Sequence, residues 1–255
     1  MISNAAGPAF HPEVILFDWG GTLADVAWQE QRFAEAATEL ASWLGVDAAA
    51  ANADSLVKRI YAAEAAAAAD PELREADLQA VVREWADAHG RPLTGQRLEE
   101  AVDRVGRAWI GSLEPFGGAA GALRRLRDHG CRLGLVSNCL IPRSYCLIEL
   151  QRQGLLDLLD FQIISSAVGY RKPSPVIYRA ALQAAFPRGV PPSLSGVLFV
   201  GDSPAFDVAA PAAMGMRTAL VRCRRGIWPA EDYARARPDL RIDAVAELPD
   251  HLQLP

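Results

Sequence analysis

Two patterns of apolar and polar positions divide the chain into segments. Between about residues 26 and 110, apolar side chains recur at every third or fourth position, which is the spacing of amphipathic helices. Helix-breaking residues interrupt this pattern at Gly45, at 70–71 and at 90–92, and Thr94 is suited to begin a helix as its N-cap. The pattern therefore predicts four helices, at 28–44, 54–69, 74–89 and 94–110.

Short runs of consecutive apolar residues form the second pattern. One run lies before the helical stretch, at 13–18, and after residue 115 such runs alternate with segments of helical spacing. This alternation is typical of βαβ units, which build a parallel sheet with helices on both faces. The later strands are predicted at 132–137, 161–165, 197–201, 217–221 and 240–244. The helices between them are predicted at 119–129, 142–153, 175–186 and 204–214.

Together the two patterns predict an α/β fold. We expect a doubly wound, Rossmann-like parallel sheet that is interrupted after its first strand by an all-helical insertion. The domain that contains the sheet would comprise residues 1–24 and 113–255, and the helical domain would comprise residues 25–112. At 255 residues, the chain is long enough for one large core with a smaller appended domain.

Composition and charge argue against several classes of partner. The formal net charge of −5 disfavours nucleic acid or an anionic membrane surface as the main partner. No apolar run approaches the roughly 20 residues that span a bilayer, and residues 1–12 lack the basic and apolar segments of a secretory signal. The 4 cysteines have no metal-ligand spacing and are expected to be reduced thiols. We therefore expect a cytoplasmic globular protein.

Polar residues follow the predicted strands. In a parallel sheet, ligands bind beyond the carboxyl ends of the strands, so side chains placed there are candidates for function. Asp18 ends the first strand and leads into Gly20 and Gly21, a glycine pair that lets a ligand approach the backbone. The other candidates are Ser137 and Asn138 after the second strand, Lys172 in a loop before a helix, and Asp202 and Asp207 after the fourth strand.

These residue types suit phosphoryl transfer assisted by a divalent cation. Carboxylates bind a hard cation such as Mg²⁺, hydroxyl and backbone N–H groups bind an anion, and a lysine neutralises negative charge. Lys172 carries added weight because it and Lys58 are the only lysines among the 26 basic residues.

The four motifs occur in the order of one known superfamily. With the helical insertion in the position of a C1 cap, the chain resembles the haloacid dehalogenase-like (HAD) hydrolase superfamily over nearly its whole length. The resemblance implies that Asp18 is a nucleophile that forms an aspartyl-phosphate. It implies that Ser137 and the backbone amide of Asn138 bind the substrate phosphate. It also implies that Lys172 is catalytic, because it would orient the nucleophile and bind the transferring phosphoryl group.

The resemblance also implies a Mg²⁺ cofactor. Its ligands would be the carboxylates of Asp18 and Asp202, the backbone carbonyl of Gly20, and Asp207 directly or through a water molecule. The substrate would be a small phosphorylated metabolite. A Mg²⁺-dependent phosphatase is therefore the leading interpretation.

Gly20 departs from the pattern of phosphatases in this superfamily, which usually carry a second Asp there. That Asp protonates the leaving group and then activates water. Loss of a general acid and base typically costs about 10²–10⁴ in rate, and less for a good leaving group such as an anomeric sugar phosphate. Asp25 and Glu30, near the start of the insertion, are candidate replacements, although solvated acids at a hinge and at a helix start explain them as well.

Three alternatives remain open. Phosphonatase-like members use a cap lysine as a Schiff base, for which Lys58 is the candidate, but its flanking sequence differs from theirs and a helix-surface lysine explains it as well. Dehalogenases of the superfamily have Tyr at the position of Gly20 and need no metal, whereas Asp202 and Asp207 favour a metal. The third alternative is a non-catalytic module that binds Mg²⁺ and phosphate.

Overall fold

The computed structural model describes residues 10–53, 55–223 and 226–254. The strands assigned there are β1 Val14–Phe17, β2 Ala24–Asp25, β3 Glu114–Pro115, β4 Arg132–Ser137, β5 Phe161–Ile164, β6 Val197–Gly201, β7 Arg217–Val221 and β8 Leu240–Ile242. Six strands form one parallel sheet in the order β5-β4-β1-β6-β7-β8, and β2 pairs with β3 in an antiparallel ribbon. The predicted α/β fold with a Rossmann-like parallel sheet is confirmed.

The helices divide between the insertion and the sheet. Those of the insertion are α1 Gln29–Leu44, α2 Ala48–Ala53, α3 Leu56–Ala69, α4 Leu78–Ala88 and α5 Gly95–Trp109. Those after β3 are α6 Ala119–Asp128, α7 Arg143–Arg152, α8 Ser165–Val168, α9 Pro175–Ala185, α10 Ala210–Ala213, α11 Ala230–Arg235 and α12 Leu248–His251. A π-helix covers Pro204–Ala209, and 3₁₀ turns cover Leu156–Leu158 and Val245–Glu247.

Apolar side chains cover both faces of the sheet. Successive residues of a strand point to opposite faces. Ile15 and Phe17 therefore join an apolar cluster with residues of α6, α7 and the insertion, whereas Val14 and Leu16 join a cluster with residues of α9. Because both faces exclude water, β1 is fully buried and forms a rigid base for the residue that follows it.

The register of the sheet aligns the ends of its central strands. Phe17 pairs with Leu135 of β4 on one side and with Val200 of β6 on the other. Beyond this level β6 continues one residue to Gly201 and β4 two residues to Ser137, so the three strands end close together at the same edge of the sheet. Asp18 is the first residue after β1.

The insertion contains elements that the apolar pattern did not predict. Helix α2 lies between the first two predicted helices. The ribbon of β2 and β3 joins the two ends of the insertion, with Ala24 opposite Pro115. Two-residue strands and a six-residue helix are too short to produce a distinct periodicity.

Several predicted boundaries are wrong by a few residues. The helix predicted from residue 74 begins at Leu78, because the Asp77 side chain accepts a hydrogen bond from Gln79 N (2.9 Å) and caps the helix there. Thr94 is the N-cap residue of α5 but makes no side-chain cap hydrogen bond. Asp54, the predicted first residue of the second helix, lies outside the described residues.

After β3 the differences are similar in kind. The last residue predicted for the third sheet strand, Ser165, begins α8 instead. The helix predicted at 204–214 begins as a π-helix and continues as α10. Helix α11 was not predicted.

Helix α5 of the insertion packs against α7, which flanks the sheet. The Tyr145 hydroxyl of α7 donates a hydrogen bond to Asp103 Oδ1 of α5 (2.5 Å). The Tyr145 ring lies against Gly106, where an added Cβ would come within 2.4 Å of a ring carbon. Glycine at this position therefore permits the close approach of the two helices. Within the described ranges, no helix has the length and apolar character needed to cross a membrane.

Candidate active site

Asp18 lies directly after β1, at the edge of the sheet where β4 and β6 also end. Its backbone N–H donates to Val200 O (2.9 Å), which extends the pairing of β1 with β6 by one residue. The chain then turns at Gly21, whose φ of 87° is a left-handed conformation that glycine adopts without strain. The Asp18 carboxylate accepts hydrogen bonds from Lys172 Nζ (2.8 Å) and Thr22 Oγ1 (3.4 Å). These contacts fix its orientation.

Lys172 reaches the same place from the loop between α8 and α9. The Asn138 side chain holds this loop: its Oδ1 accepts from Lys172 N (2.7 Å) and its Nδ2 donates to Lys172 O (3.1 Å). Lys172 Nζ donates to Asp18 Oδ1 (2.8 Å) and to Asp207 Oδ1 (2.7 Å). Burial alone would lower the pKa of Lys172, but the two carboxylates outweigh burial and raise this pKa above its usual value. Lys172 is therefore a charged ammonium.

Asp202 and Asp207 form a buried cluster with Asp18. Asp202 accepts a hydrogen bond from the indole Nε1 of Trp228 (3.0 Å), and Asp207 accepts one from Ser203 N (2.9 Å). Each of the three acids places a carboxylate oxygen within 4.8 Å of an oxygen of the other two. The predicted metal-binding carboxylates are thus close enough to share one ion.

The charge of this cluster suits a divalent cation. Burial, with repulsion from Asp18, raises the pKa of Asp202 to about 6. Burial raises the pKa of Asp207 to about 7. The attraction of Lys172 opposes this rise but does not offset it, because three acids share the charge of one lysine. Carboxylate oxygens are the ligands that hard cations prefer. Asp18, Asp202 and Asp207 could therefore hold such a cation, which would compensate their excess negative charge.

Glycines allow the motifs to approach one another. A Cβ on Gly21 would lie 2.7 Å from Asp202 Oδ2, and a Cβ on Gly201 would lie 2.2 Å from Asp207 Cγ. Gly20 lies in a different environment, because a Cβ there would lie 2.9 Å from Cγ1 of Val26. A side chain at position 20 and the Val26 side chain would therefore compete for the same space.

A pocket of about 420 Å³ opens onto the carboxylate cluster. The sequence-predicted site residues that line it are Asp18, Gly20, Ser137, Asn138, Lys172, Asp202 and Asp207. The insertion contributes Val26, Ala27, Gln29, Glu30, Tyr61 and Glu64. Loops near the sheet contribute Arg171, Ser203, Ile227 and Trp228, and the π-helix contributes Phe206. The structure thus brings all the predicted site residues to one pocket.

Sequence reasoning missed Glu64, Arg171 and Trp228 on the pocket wall. The sequence does indicate Arg171 as a possible pocket residue, because it directly precedes Lys172. Nothing near Glu64 or Trp228 in the sequence indicates a site. Of the two acids predicted as replacements for the missing Asp, Glu30 lines the pocket. Asp25 is not one of the described residues that line it.

Comparison with known proteins places the chain in a family. A model of haloacid dehalogenase-like hydrolases matches residues 12–215. The chain therefore belongs to the haloacid dehalogenase-like hydrolase family, as the motifs predicted, and is a hydrolase. The 2-haloacid dehalogenase from Pseudomonas syringae pv. Tomato DC3000 has a similar fold, with a TM-score of 0.65 and 21% identity over 94% of this chain and 97% of that structure.

Two curated relatives are similar in sequence. A pyrimidine 5′-nucleotidase of Escherichia coli (strain K12) is 30% identical over 165 residues, which cover 63% of this chain and 68% of the relative. A phosphoglycolate phosphatase of Cereibacter sphaeroides is 39% identical over 136 residues, which cover 53% of this chain and 51% of the relative. The match thus spans about half the length of the second relative.

Proposed function

We propose that this protein is a Mg²⁺-dependent phosphatase of a small phosphorylated metabolite, with Asp18 as its nucleophile. The observation that carries the proposal is the contact of Asp18 with Lys172 inside a buried cluster of three acids that lines a pocket. The names of the two relatives, a nucleotidase and a phosphatase, support a phosphate ester as the substrate.

In the first step, an Asp18 carboxylate oxygen attacks phosphorus and the bond to the leaving oxygen breaks, which gives an aspartyl-phosphate. Lys172 Nζ, 2.8 Å from Asp18 Oδ1, orients the carboxylate and neutralises charge on the transferring group. Ser137 and the backbone N–H of Asn138 bind the phosphate oxygens. Because the Asn138 side chain is committed to the Lys172 loop, its backbone is the part assigned to the substrate.

In the second step, water attacks the aspartyl-phosphate, inorganic phosphate leaves, and Asp18 is regenerated. Mg²⁺, when bound, supplies charge stabilisation for both steps, and Asp18, Asp202, Asp207 and the backbone carbonyl of Gly20 would hold it. Residues 25–112 act as the cap of the domain formed by residues 1–24 and 113–255, and they limit the access of water to the pocket.

The position of Lys58 does not favour the phosphonatase-like alternative. Lys58 is exposed on α3 and is not one of the described residues that line the pocket. The dehalogenase alternative has no role for three clustered carboxylates. The phosphatase therefore remains the proposed function. The non-catalytic module is the alternative that would be favoured if no ester is hydrolysed.

Phosphate release from a panel of phosphorylated metabolites, with 4-nitrophenyl phosphate as a generic ester, tests the proposal directly. We expect turnover of at least one ester with Mg²⁺ and a loss of about 10²-fold or more after chelation with EDTA, because the cluster loses its cation. Restoration by added Mg²⁺ is the control for chelator damage. Binding of Mg²⁺ and phosphate without turnover of any ester would instead favour the non-catalytic module.

Magnesium is expected to raise the melting temperature more at about pH 8 than at about pH 5. Without metal, Asp202 and Asp207 have raised pKa values in the folded state, so protonation stabilises that state. The free energy of unfolding therefore falls as the pH rises through 6 to 7. Above that range both acids are ionised and bind the cation without releasing protons. Melting temperatures measured with and without Mg²⁺ at the two pH values check this prediction, and the Asp202→Asn variant is the control. A Mg²⁺-induced rise in melting temperature that is the same at both pH values would contradict the prediction.

A further inference from the structure

The pocket contains two carboxyl groups beyond the Asp18 cluster. Among the described lining residues these are Glu30 and Glu64, which both belong to the insertion. Glu30 is exposed to solvent in the first turn of α1. Glu64 lies in α3 and is partly buried. The two acids share one pocket but differ in their exposure to water.

Glu64 is held next to the loop that carries Lys172. Arg171 Nη1 donates a hydrogen bond to the backbone oxygen of Glu64 (3.0 Å) and pairs with Glu75 Oε1 (3.5 Å). The segment after α3 adds two backbone hydrogen bonds to the same loop, from Arg171 N to Leu73 O (3.0 Å) and from Glu75 N to Gly169 O (3.0 Å). The backbone of Glu64 is therefore anchored to Arg171, the residue that precedes Lys172 in its loop.

We propose that Glu64 is the general acid and base of the reaction and replaces the Asp that is missing at position 20. This inference rests on the proposed phosphatase function. Its basis is geometric: Glu64 is the partly buried acid of the insertion on the pocket that contains Asp18, and the Arg171 contacts fix its helix there.

The surroundings of Glu64 favour a carboxyl group that exchanges its proton near neutral pH. Burial raises its pKa to about 7, attraction to Arg171 opposes this rise, and repulsion from Glu75 adds to it. The Cys139 thiol also senses the charge of Glu64, and its own pKa is raised mainly by its contact with Cys146 and by burial. A group with a pKa near the working pH can donate and accept a proton at comparable rates.

The proton balance of the two steps closes with Glu64 as the group that gives and then recovers one proton. As Asp18 attacks phosphorus, the electron pair of the breaking P–O bond goes to the leaving oxygen, which takes the proton of the Glu64 carboxyl. The resulting Glu64 carboxylate then accepts a proton from the water that attacks the aspartyl-phosphate. When phosphate leaves, Asp18 is again a carboxylate and Glu64 is again protonated, so the cycle closes.

Comparison of Glu64→Gln with Glu30→Gln tests the assignment, because both variants remove one acid from the same pocket. The substrates are 4-nitrophenyl phosphate, whose leaving group needs no proton, and an alkyl phosphate that the unmodified enzyme hydrolyses. In Glu64→Gln we expect kcat/KM for the alkyl ester to fall by about 10²–10⁴ and kcat/KM for the aryl ester to fall by less than about 10-fold. Glu30→Gln removes the other acid of the insertion on this pocket, and a loss on the alkyl ester in this variant that matches or exceeds the loss in Glu64→Gln would overturn the assignment.

The pH profile supplies a second readout. For the unmodified enzyme, kcat/KM for the alkyl ester should fall as the pH rises above about 7, because Glu64 must be protonated to act as the acid. This limb should disappear in Glu64→Gln and persist in Glu64→Asp, which keeps a carboxyl group and controls for folding. Equal losses on the two esters, or no loss on the alkyl ester, would overturn the assignment. Absence of turnover in the unmodified enzyme would overturn the phosphatase function itself.

Discussion

Asp18→Asn is expected to lower phosphate release by at least about 10⁴-fold, because a carboxamide cannot attack phosphorus and form the acyl phosphate. The substitution keeps the size of the side chain, and its oxygen can still accept the hydrogen bond from Lys172 that the carboxylate accepts at 2.8 Å. Stopped assays with the ester that the panel identifies measure this loss. Activity within about 10-fold of the unmodified enzyme would mean that another group is the nucleophile.

The melting temperature separates this chemical effect from unfolding. Asp18 is one of three clustered acids. Burial raises the pKa values of Asp202 and Asp207, and repulsion from Asp18 adds to the rise. Removing its charge relieves that repulsion. Without Mg²⁺ at about pH 8, Asp18→Asn should therefore melt no lower than the unmodified protein, and a marked destabilisation would show that the charge is needed for the fold.

Lys172→Met is expected to impair both activity and stability. It removes the cation that contacts Asp18 and Asp207 and leaves their charges buried, which typically costs about 3–5 kcal/mol of unfolding free energy. The loss should be smaller at about pH 5, where Asp202 and Asp207 are protonated, and Mg²⁺ should recover part of it at about pH 8. Turnover should fall by about 10³-fold or more, because the phosphoryl group loses its charge partner.

The chain offers a matched control for this experiment. Lys58 is the other lysine of the sequence, and it is exposed on α3. Lys58→Met should change the unfolding free energy by less than about 0.5 kcal/mol and leave turnover unchanged. Denaturant unfolding followed by circular dichroism measures both variants. Equal destabilisation by the two substitutions would show that the effect does not come from the buried carboxylates.

The sequence predicted the part of the pocket that depends on strand order and register. Asp18, Ser137 and Asp202 each end or follow a strand of the same parallel sheet, so their meeting requires only that β1, β4 and β6 be neighbours. Apolar runs of four to six residues are a strong local signal for such strands. For this reason the fold prediction was correct even where helix boundaries were wrong.

The insertion's contribution to the pocket could not be predicted in this way. Helical periodicity identifies the buried side of α3 but not the element that packs near Glu64. That placement depends on long-range contacts between Arg171 and residues 64–75, which no local pattern encodes. The role of the Asn138 side chain was missed for the same reason, because its partner Lys172 is 34 positions away.

The close approach of positions 20 and 26 has a consequence for redesign of the site. An aspartate introduced at Gly20 would bring its Cβ to 2.9 Å from Cγ1 of Val26, so the partly exposed Val26 side chain would have to shift to admit it. Val26→Ala removes that methyl group, so Gly20→Asp should be accommodated with less strain when the two substitutions are combined.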